Sequence, residues 1–303
     1  ECDPPVTITK YQYVIFSFRN PVEELRPVIL VNHEGFARHV RRADRILVDN
    51  GKLSFDIISI EPDGAVIARA REDGTIGSRR HINLPGAGVD LPPFTARDWD
   101  DIAFAADEGA DFIGLSFIQR GQEVEEVRTF LRKRGSPAGI VAKIETQHAV
   151  QNVPEILHAA DALMVARGDL GAEVPFERVP VIQDEIVALC REAGKPVIVA
   201  THMLESMIQN PMPTRAEVTD IAHAATIGAD ATMLSGETAS GKYPFAAIEA
   251  MNKVLRATEA HRKRFIRSVD AGVHIEREAR AEAAVSLASS TSASALLVFT
   301  RSG

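Results

Sequence analysis

One rhythm between residues 92 and 240 constrains this chain more than any other feature. Short apolar runs alternate there with longer amphipathic segments. The runs are Phe112-Ile113-Gly114-Leu115-Ser116-Phe117, Ile140-Val141-Ala142, Ala162-Leu163-Met164-Val165-Ala166, Pro196-Val197-Ile198-Val199-Ala200 and Ala231-Thr232-Met233-Leu234. Between them, helical spacing governs 96–108, 123–134, 181–193 and 216–227. A strand with no polar side needs cover on both faces, and helical crossovers supply it in a parallel sheet. The pattern predicts an α/β fold, part of a (β/α) barrel or a doubly wound sheet. A closed barrel takes more units than these. As it stands, the sheet would keep unpaired edges and an exposed core, which predicts a portion of a longer chain or completion by another copy.

The first 91 residues read differently. Val6-Thr7-Ile8-Thr9 and residues 11–18 are rich in β-branched and aromatic side chains. Asn50-Gly51, Asp63-Gly64 and Asp73-Gly74 each carry a hairpin signal, because these pairs tolerate the positive φ that tight turns need. A small antiparallel sheet or barrel is expected. At the other end, a helix over 279–288 and a strand over 295–299 would begin another α/β layer. The expected domains are therefore a β-rich segment at 1–91, a barrel portion at 92–265 and the start of a C-terminal α/β domain at 266–303.

Composition narrows the function. The length of 303 residues suits about two domains at ~150 each. With 45% hydrophobic and 25% charged residues, disorder and fibrous architectures are excluded. No apolar stretch approaches the ~20 residues of a bilayer helix, so a membrane partner is not expected. The net charge of −8 offers no overall field for nucleic acid, so any polyanionic ligand must meet local positive charge or a metal. Cys2 and Cys190 lie far apart, with no disulfide framework and no zinc spacing. That pattern, with no leader-like start, predicts a reducing, cytoplasmic compartment. The start at Glu1 without an initiator Met and the ending Thr300-Arg301-Ser302-Gly303 predict a piece of a longer chain.

Strand ends carry the candidate chemistry. Lys143 and Glu145 close one apolar run two residues apart and so project to the same face. Asp169, in Ala166-Arg167-Gly168-Asp169-Leu170-Gly171, ends the next. Adjacent strands lie ~4.8 Å apart, so Glu145 and Asp169 can converge on one Mg²⁺. The plainer alternative is a Lys143–Glu145 ion pair. Thr201 and Ser235-Gly236-Glu237-Thr238 end later runs, where hydroxyls can bind a carboxylate or relay a proton, or Thr201 and Thr238 can cap helices. Gly168 opens an anion-binding helix start or makes a turn.

Taken together these motifs resemble the pyruvate kinase family. The segment Ile140-Val141-Ala142-Lys143-Ile144-Glu145-Thr146-Gln147-His148-Ala149-Val150 is similar to that family's active-site signature. Around it, in family order, stand Asn83-Leu84-Pro85-Gly86, Ala166 to Gly171, Thr201-His202-Met203-Leu204-Glu205-Ser206-Met207, Pro213-Thr214-Arg215-Ala216-Glu217 and Met233-Leu234-Ser235-Gly236-Glu237-Thr238-Ala239. The likeness runs from about Arg45 to Gly303. It implies a partial TIM-type barrel with an inserted small β-barrel lid, and phosphoryl transfer from phosphoenolpyruvate to ADP in glycolysis. Lys143 would neutralise the phosphoryl group and enolate oxygen; Glu145 and Asp169 would hold Mg²⁺ or Mn²⁺. Gly168, Asp169 and Thr201 would grip the substrate carboxylate, and protonation would pass through a water near Thr201 and Ser235. Arg80 stands where the family commonly has lysine and would hold nucleotide phosphate; its alternative is a solvated turn. His202 replaces the family's usual Gln and is expected on the surface of a first helix. His261-Arg262-Lys263-Arg264 reads as a solvated helix end. K⁺ is implied, but the family's ligands for it have no counterpart in this sequence. A homotetramer is likewise implied. Two other readings stand beside this one: an Mg²⁺-dependent enolpyruvate aldolase, and a truncated, non-catalytic homologue.

Overall fold

The computed structural model describes residues 5–19, 25–40, 45–49, 51–78, 80–85, 93–262, 283–288, 290, 291, 293, 295 and 297. It divides into two compact units, residues 1–256 and 257–303. The boundaries expected at 91/92 and 265/266 fall outside the described residues, as does Cys2.

The β-rich segment holds β1 (Val6–Ile8), β2 (Tyr13–Ser17), β3 (Val28–Leu30), α1 (Phe36–Val40), β4 (Arg45–Val48), β5 (Leu53–Ile60), β6 (Val66–Ala70), β7 (Gly74–Ile76) and β8 (Ile82–Asn83). Six of the strands form one sheet in the order β3-β2-β6-β5-β4-β8, while β1 and β7 pair separately. The sheet is mixed, since β2 and β3 run parallel. Period-two alternation places Val66, Ala68 and Ala70 inward and leaves Ile67 and Arg69 on the other face. The inward face closes over Phe16 and Phe55, edge to face at 5.1 Å, with Phe36 beside them.

Two of the three hairpin signals operate as expected. β4 pairs with β5 around Gly51, and β5 with β6 around Gly64, at φ values of 81° and 88°. The third does not. Gly74 lies inside β7, which pairs with β1 instead of returning on β6. A Cβ there would sit 2.7 Å from Leu53 Cδ2, so this glycine serves close packing. Asp73 accepts from the Lys10 backbone N–H at 2.7 Å, tying the turn to the preceding strand region.

From residue 93 the expected alternation appears. In order come α2 (Ala96–Asp107), β9 (Phe112–Leu115), α3 (Gly121–Lys133), β10 (Gly139–Ile144), α4 (Gln147–Gln151), α5 (Val153–Ala159), β11 (Ala162–Ala166), α6 (Arg167–Glu173), α7 (Val179–Ala193), β12 (Val197–Ala200), α8 (Arg215–Ile227), β13 (Ala231–Met233), α9 (Gly236–Ala239) and α10 (Pro244–Arg262). The five strands are parallel and lie side by side in chain order, as in a portion of a (β/α) barrel. Capping boxes at Thr95 with Asp98 and Thr214 with Glu217 start α2 and α8, and Gly194 at φ 67° ends α7.

One face of this sheet packs on the helices. Ile113, Leu115, Ile140, Ala142, Ile144, Leu163, Val165, Val197 and Val199 form its core with Val124, Val127, Ile156, Ile186 and Ile221. The register aligns Lys143, Met164, Ile198 and Ala231 on the opposite face. There Met164, Ile198 and Met233 remain half-buried. β9 and β13 are the sheet's edges among the described residues.

Cys190 is a buried free thiol on α7. Among the described residues no helix is long and apolar enough to cross a membrane. Residues 283–288 are helical, within the helix expected at 279–288. Of the strand expected at 295–299, only 295 and 297 are described, neither of them in a strand. Of the basic run, His261 and Arg262 end α10, and Lys263 and Arg264 lie outside the described residues.

Candidate active site

The carboxyl ends of β10 and β11 bring the central residues together. Lys143, on β10, carries its Nζ 2.7 Å from Glu145 Oε1, and the same ammonium donates to Ser116 Oγ at 2.9 Å. Glu145 itself is fully buried and accepts the Phe117 backbone N–H on Oε2 at 2.6 Å. That N–H is aimed by Phe117's left-handed conformation, φ 55°, an uncommon state for a side chain of this size. The ion pair weighed from sequence is therefore present. The Lys143 ammonium is the contact made by Glu145 Oε1, while Oε2 takes the backbone N–H.

Asp169 enters from the next strand end, in the first turn of α6. Its charge is felt at Glu145, whose carboxyl is held above the usual value chiefly by burial, with Lys143 and the Phe117 N–H acting in the opposite direction. Asp169 Oδ1 is buried, and the donor near it is His81 Nδ1, at a long 3.4 Å. Two buried carboxylate oxygens, one paired with the Lys143 ammonium and the other with no closer neighbour than His81 at 3.4 Å, suit a divalent cation that also takes oxygens from substrate and water. Among the described residues no three His, Cys, Asp or Glu side chains cluster as a complete metal cage.

Gly168 is buried inside the first turn of α6. Thr201 follows β12 at φ 76°, and His202 follows at φ 55°. The capping alternative for Thr201 does not hold, because the next helical turn, Glu205–Ile208, starts from Leu204. Thr238 is not a cap either: it lies within α9, and its hydroxyl donates back to the Ser235 carbonyl at 3.4 Å. His202 is on the surface as expected, but in a bend and not in a helix, since its positive φ is incompatible with helical backbone. Ser235 precedes α9, and its N–H donates to Glu237 Oε2 at 2.7 Å. Glu237 is buried and also accepts the Leu204 N–H at 3.0 Å, so one carboxylate ties the loops after β12 and β13 together.

Arg80 lies half-exposed, with Nη1 3.2 Å from Asp49 Oδ1. Next in sequence is His81, which belongs to the Lys143 cluster. His81 Nδ1 lies 3.4 Å from Asp169 Oδ1, and its ring rests against Phe117 at 5.8 Å. Contact with the Asp169 carboxylate raises the imidazole pKa, burial opposing.

Six residues had no role assigned from the sequence: His81 and Glu173, and, within the quoted runs and motifs, Asn83, Ser116, Phe117 and Arg167. Ser116 and Phe117 end the first apolar run, a position that could have flagged them. Arg167 is recognisable only in three dimensions. Its guanidinium donates to the Thr201 carbonyl at 2.7 and 3.1 Å, to Asp220 at 2.8 Å and to Gln183 at 3.2 Å.

A parallel β/α sheet with a lysine and two carboxylates at its carboxyl ends is the arrangement of a barrel-type candidate site. The pyruvate kinase barrel domain profile matches residues 2–248. The chain belongs to the pyruvate kinase family. It is 41% identical to plastidial pyruvate kinase 3 of Arabidopsis thaliana over 302 residues, covering 99% of this chain and 52% of that protein. A pyruvate kinase of Dictyostelium discoideum is 45% identical over 232 residues, 76% of this chain and 46% of its own length. A pyruvate kinase of Mycobacterium intracellulare is 41% identical over 278 residues, 91% of this chain and 58% of its own. The chain thus spans about half the length of these relatives.

Proposed function

We propose that this chain carries the phosphoenolpyruvate-binding part of a pyruvate kinase site, in a protein that moves the phosphoryl group to ADP and releases pyruvate and ATP. The observation that supports it most is the Lys143 ammonium at 2.7 Å from buried Glu145, with Asp169 at the neighbouring strand end. Phosphoryl transfer needs little covalent chemistry from protein; it needs positioning and positive charge where negative charge gathers.

Lys143 supplies that charge to the phosphoryl oxygens and then to the enolate oxygen. Its contacts with Ser116 and Glu145 hold the ammonium in place before substrate arrives. Glu145 and Asp169 would hold Mg²⁺ or Mn²⁺, which when bound adds further positive charge against the enolpyruvate and its phosphate. Gly168 and Asp169 backbone N–H groups and the Thr201 hydroxyl grip the substrate carboxylate. Thr201 and Ser235 flank the water that gives the enolate carbon its proton. Arg80 takes a nucleotide phosphate in a bidentate fork, released from Asp49. K⁺ from ligands elsewhere in the protein, a homotetrameric assembly, a glycolytic role and a cytoplasmic location complete the proposal.

A coupled assay of ATP formed from phosphoenolpyruvate and ADP tests it. Lys143→Met is expected to lower turnover by roughly 10²–10³-fold with the fold intact. Near wild-type turnover in that variant would remove Lys143 from the mechanism. Pyruvate released by aldol cleavage without ATP would replace the reading with a lyase.

A further inference from the structure

Strand β8 meets helix α6 in matched periods. Residues two apart on a strand share a side and lie ~6.6 Å apart along it. Residues four apart on a helix share a face and lie ~6.0 Å apart. His81, immediately before β8, and Asn83 within it are such a pair, and Asp169 and Glu173 are one on the helix. His81 Nδ1 lies 3.4 Å from Asp169 Oδ1, and Asn83 Nδ2 donates to Glu173 Oε1 at 3.1 Å. β8 is itself fixed to its sheet. Asn83 and Ile82 pair with Leu47 and Val48 of β4, and the Asp49 N–H donates to the His81 carbonyl at 3.0 Å.

We propose that these two contacts form a latch through which the β-rich segment orients Asp169, with His81 the positioning residue for the divalent-cation site. The proposal rests on Asp169 and Glu145 being the cation's ligands, as argued above. α6 is already seated by buried Leu170 and by the Arg167 hydrogen bonds. Contacts at Asp169 and Glu173, one helical turn apart, fix the face of the helix that carries the carboxylates. His81 reaches the other carboxylate too, because its ring packs on Phe117, whose N–H holds Glu145 Oε2 at 2.6 Å. A ligating carboxylate is pre-oriented by such an outer contact, and losing one costs ~10–100-fold in metal affinity. At 3.4 Å the His81 contact is long for a hydrogen bond, which sets the expectation at the lower end. Cation binding and the seating of β8 then favour each other equally, as linkage requires.

The test is Mn²⁺ titration of the protein, with free ion counted by its electron paramagnetic resonance signal. Asp169→Asn is expected to abolish binding. His81→Leu is expected to weaken it by ~10-fold, and His81→Gln, whose amide can still donate, to recover most of that loss. Asn83→Ala, acting through the far end of α6, shifts binding in the same direction. In steady state, His81→Leu raises the Mg²⁺ concentration for half-activation while turnover at saturating Mg²⁺ stays within about twofold, a split that general loosening of the fold would not give. Loss of Mn²⁺ binding in Asp169→Asn together with wild-type affinity in His81→Leu overturns the latch and leaves the cation site standing. Wild-type affinity in Asp169→Asn overturns the site itself. Tighter binding in His81→Leu also overturns the latch, since His81 would then compete with the cation.

Discussion

Replacing Arg167 by Met removes a largely buried tether of the loop that follows β12. The guanidinium is about 10% exposed and reaches Thr201, Gln183 and Asp220 at once. Thr201 and His202 sit at φ 76° and 55°, a region that costs a non-glycine residue ~1–2 kcal/mol. The two N–H bonds to the Thr201 carbonyl hold the backbone there. In Arg167→Met the buried Gln183 side chain and the Thr201 carbonyl each lose donors, at ~1–3 kcal/mol apiece. Asp220, a third exposed, rehydrates and adds little. Relaxation of the strained loop returns part of the loss, so about 2–5 kcal/mol of destabilisation is expected. Arg167→Lys should recover only a fraction, since an ammonium cannot bridge all three partners. Urea unfolding followed by Trp99, the chain's single tryptophan, reads the stability. The KM for phosphoenolpyruvate reads the loop and should rise in both variants. A stability loss below ~0.5 kcal/mol with KM unchanged would refute the tether argument.

Two further outcomes follow from buried and hydrogen-bonded groups. Burial works to raise the Glu217 carboxyl, but hydrogen bonds from the Ser206 hydroxyl and N–H and from Thr214 hold it below its ordinary 4.5. A depressed carboxyl stabilises the fold above that value and loses the contribution as pH falls through the lower folded-state value. Glu217→Gln should therefore flatten the acid limb of the stability–pH curve, and an unchanged limb would reassign it. Cys190 is pushed up to about 12 by burial, with Asp230 adding to the effect. Its thiol should resist alkylation at pH 8 until the protein unfolds, and its stabilising share should fade as pH rises from 9.0 towards that value. Rapid labelling of Cys190 in the native state would contradict its burial.

Much of the fold was legible because its determinants are local. Unbroken apolar runs marked all five parallel strands, and helical spacing marked α2, α3, α7 and α8 to within about two residues. The same locality misled at Asp73-Gly74. That dipeptide satisfies a hairpin turn, yet Leu53 and the β1 partner decide what it does. Thr201 and Thr238 looked like caps for a similar reason. Each precedes or enters a helical stretch, but the cap position depends on backbone angles that Arg167 and Glu237 impose from a distance.

The chain's own order of residues determined that Lys143 and Glu145 would share a face, because the strand period is two, and that Asp169 would end the adjacent strand. Whether those heads meet was a tertiary matter. Their meeting depends on how β10 and β11 align, on the Phe117 backbone turning its N–H towards Glu145, and on burial of Glu145 and of Asp169 Oδ1. His81, Asn83 and Arg167 belong wholly to that second category. Their partners lie 88, 90 and up to 53 positions away, distances at which no periodicity carries information.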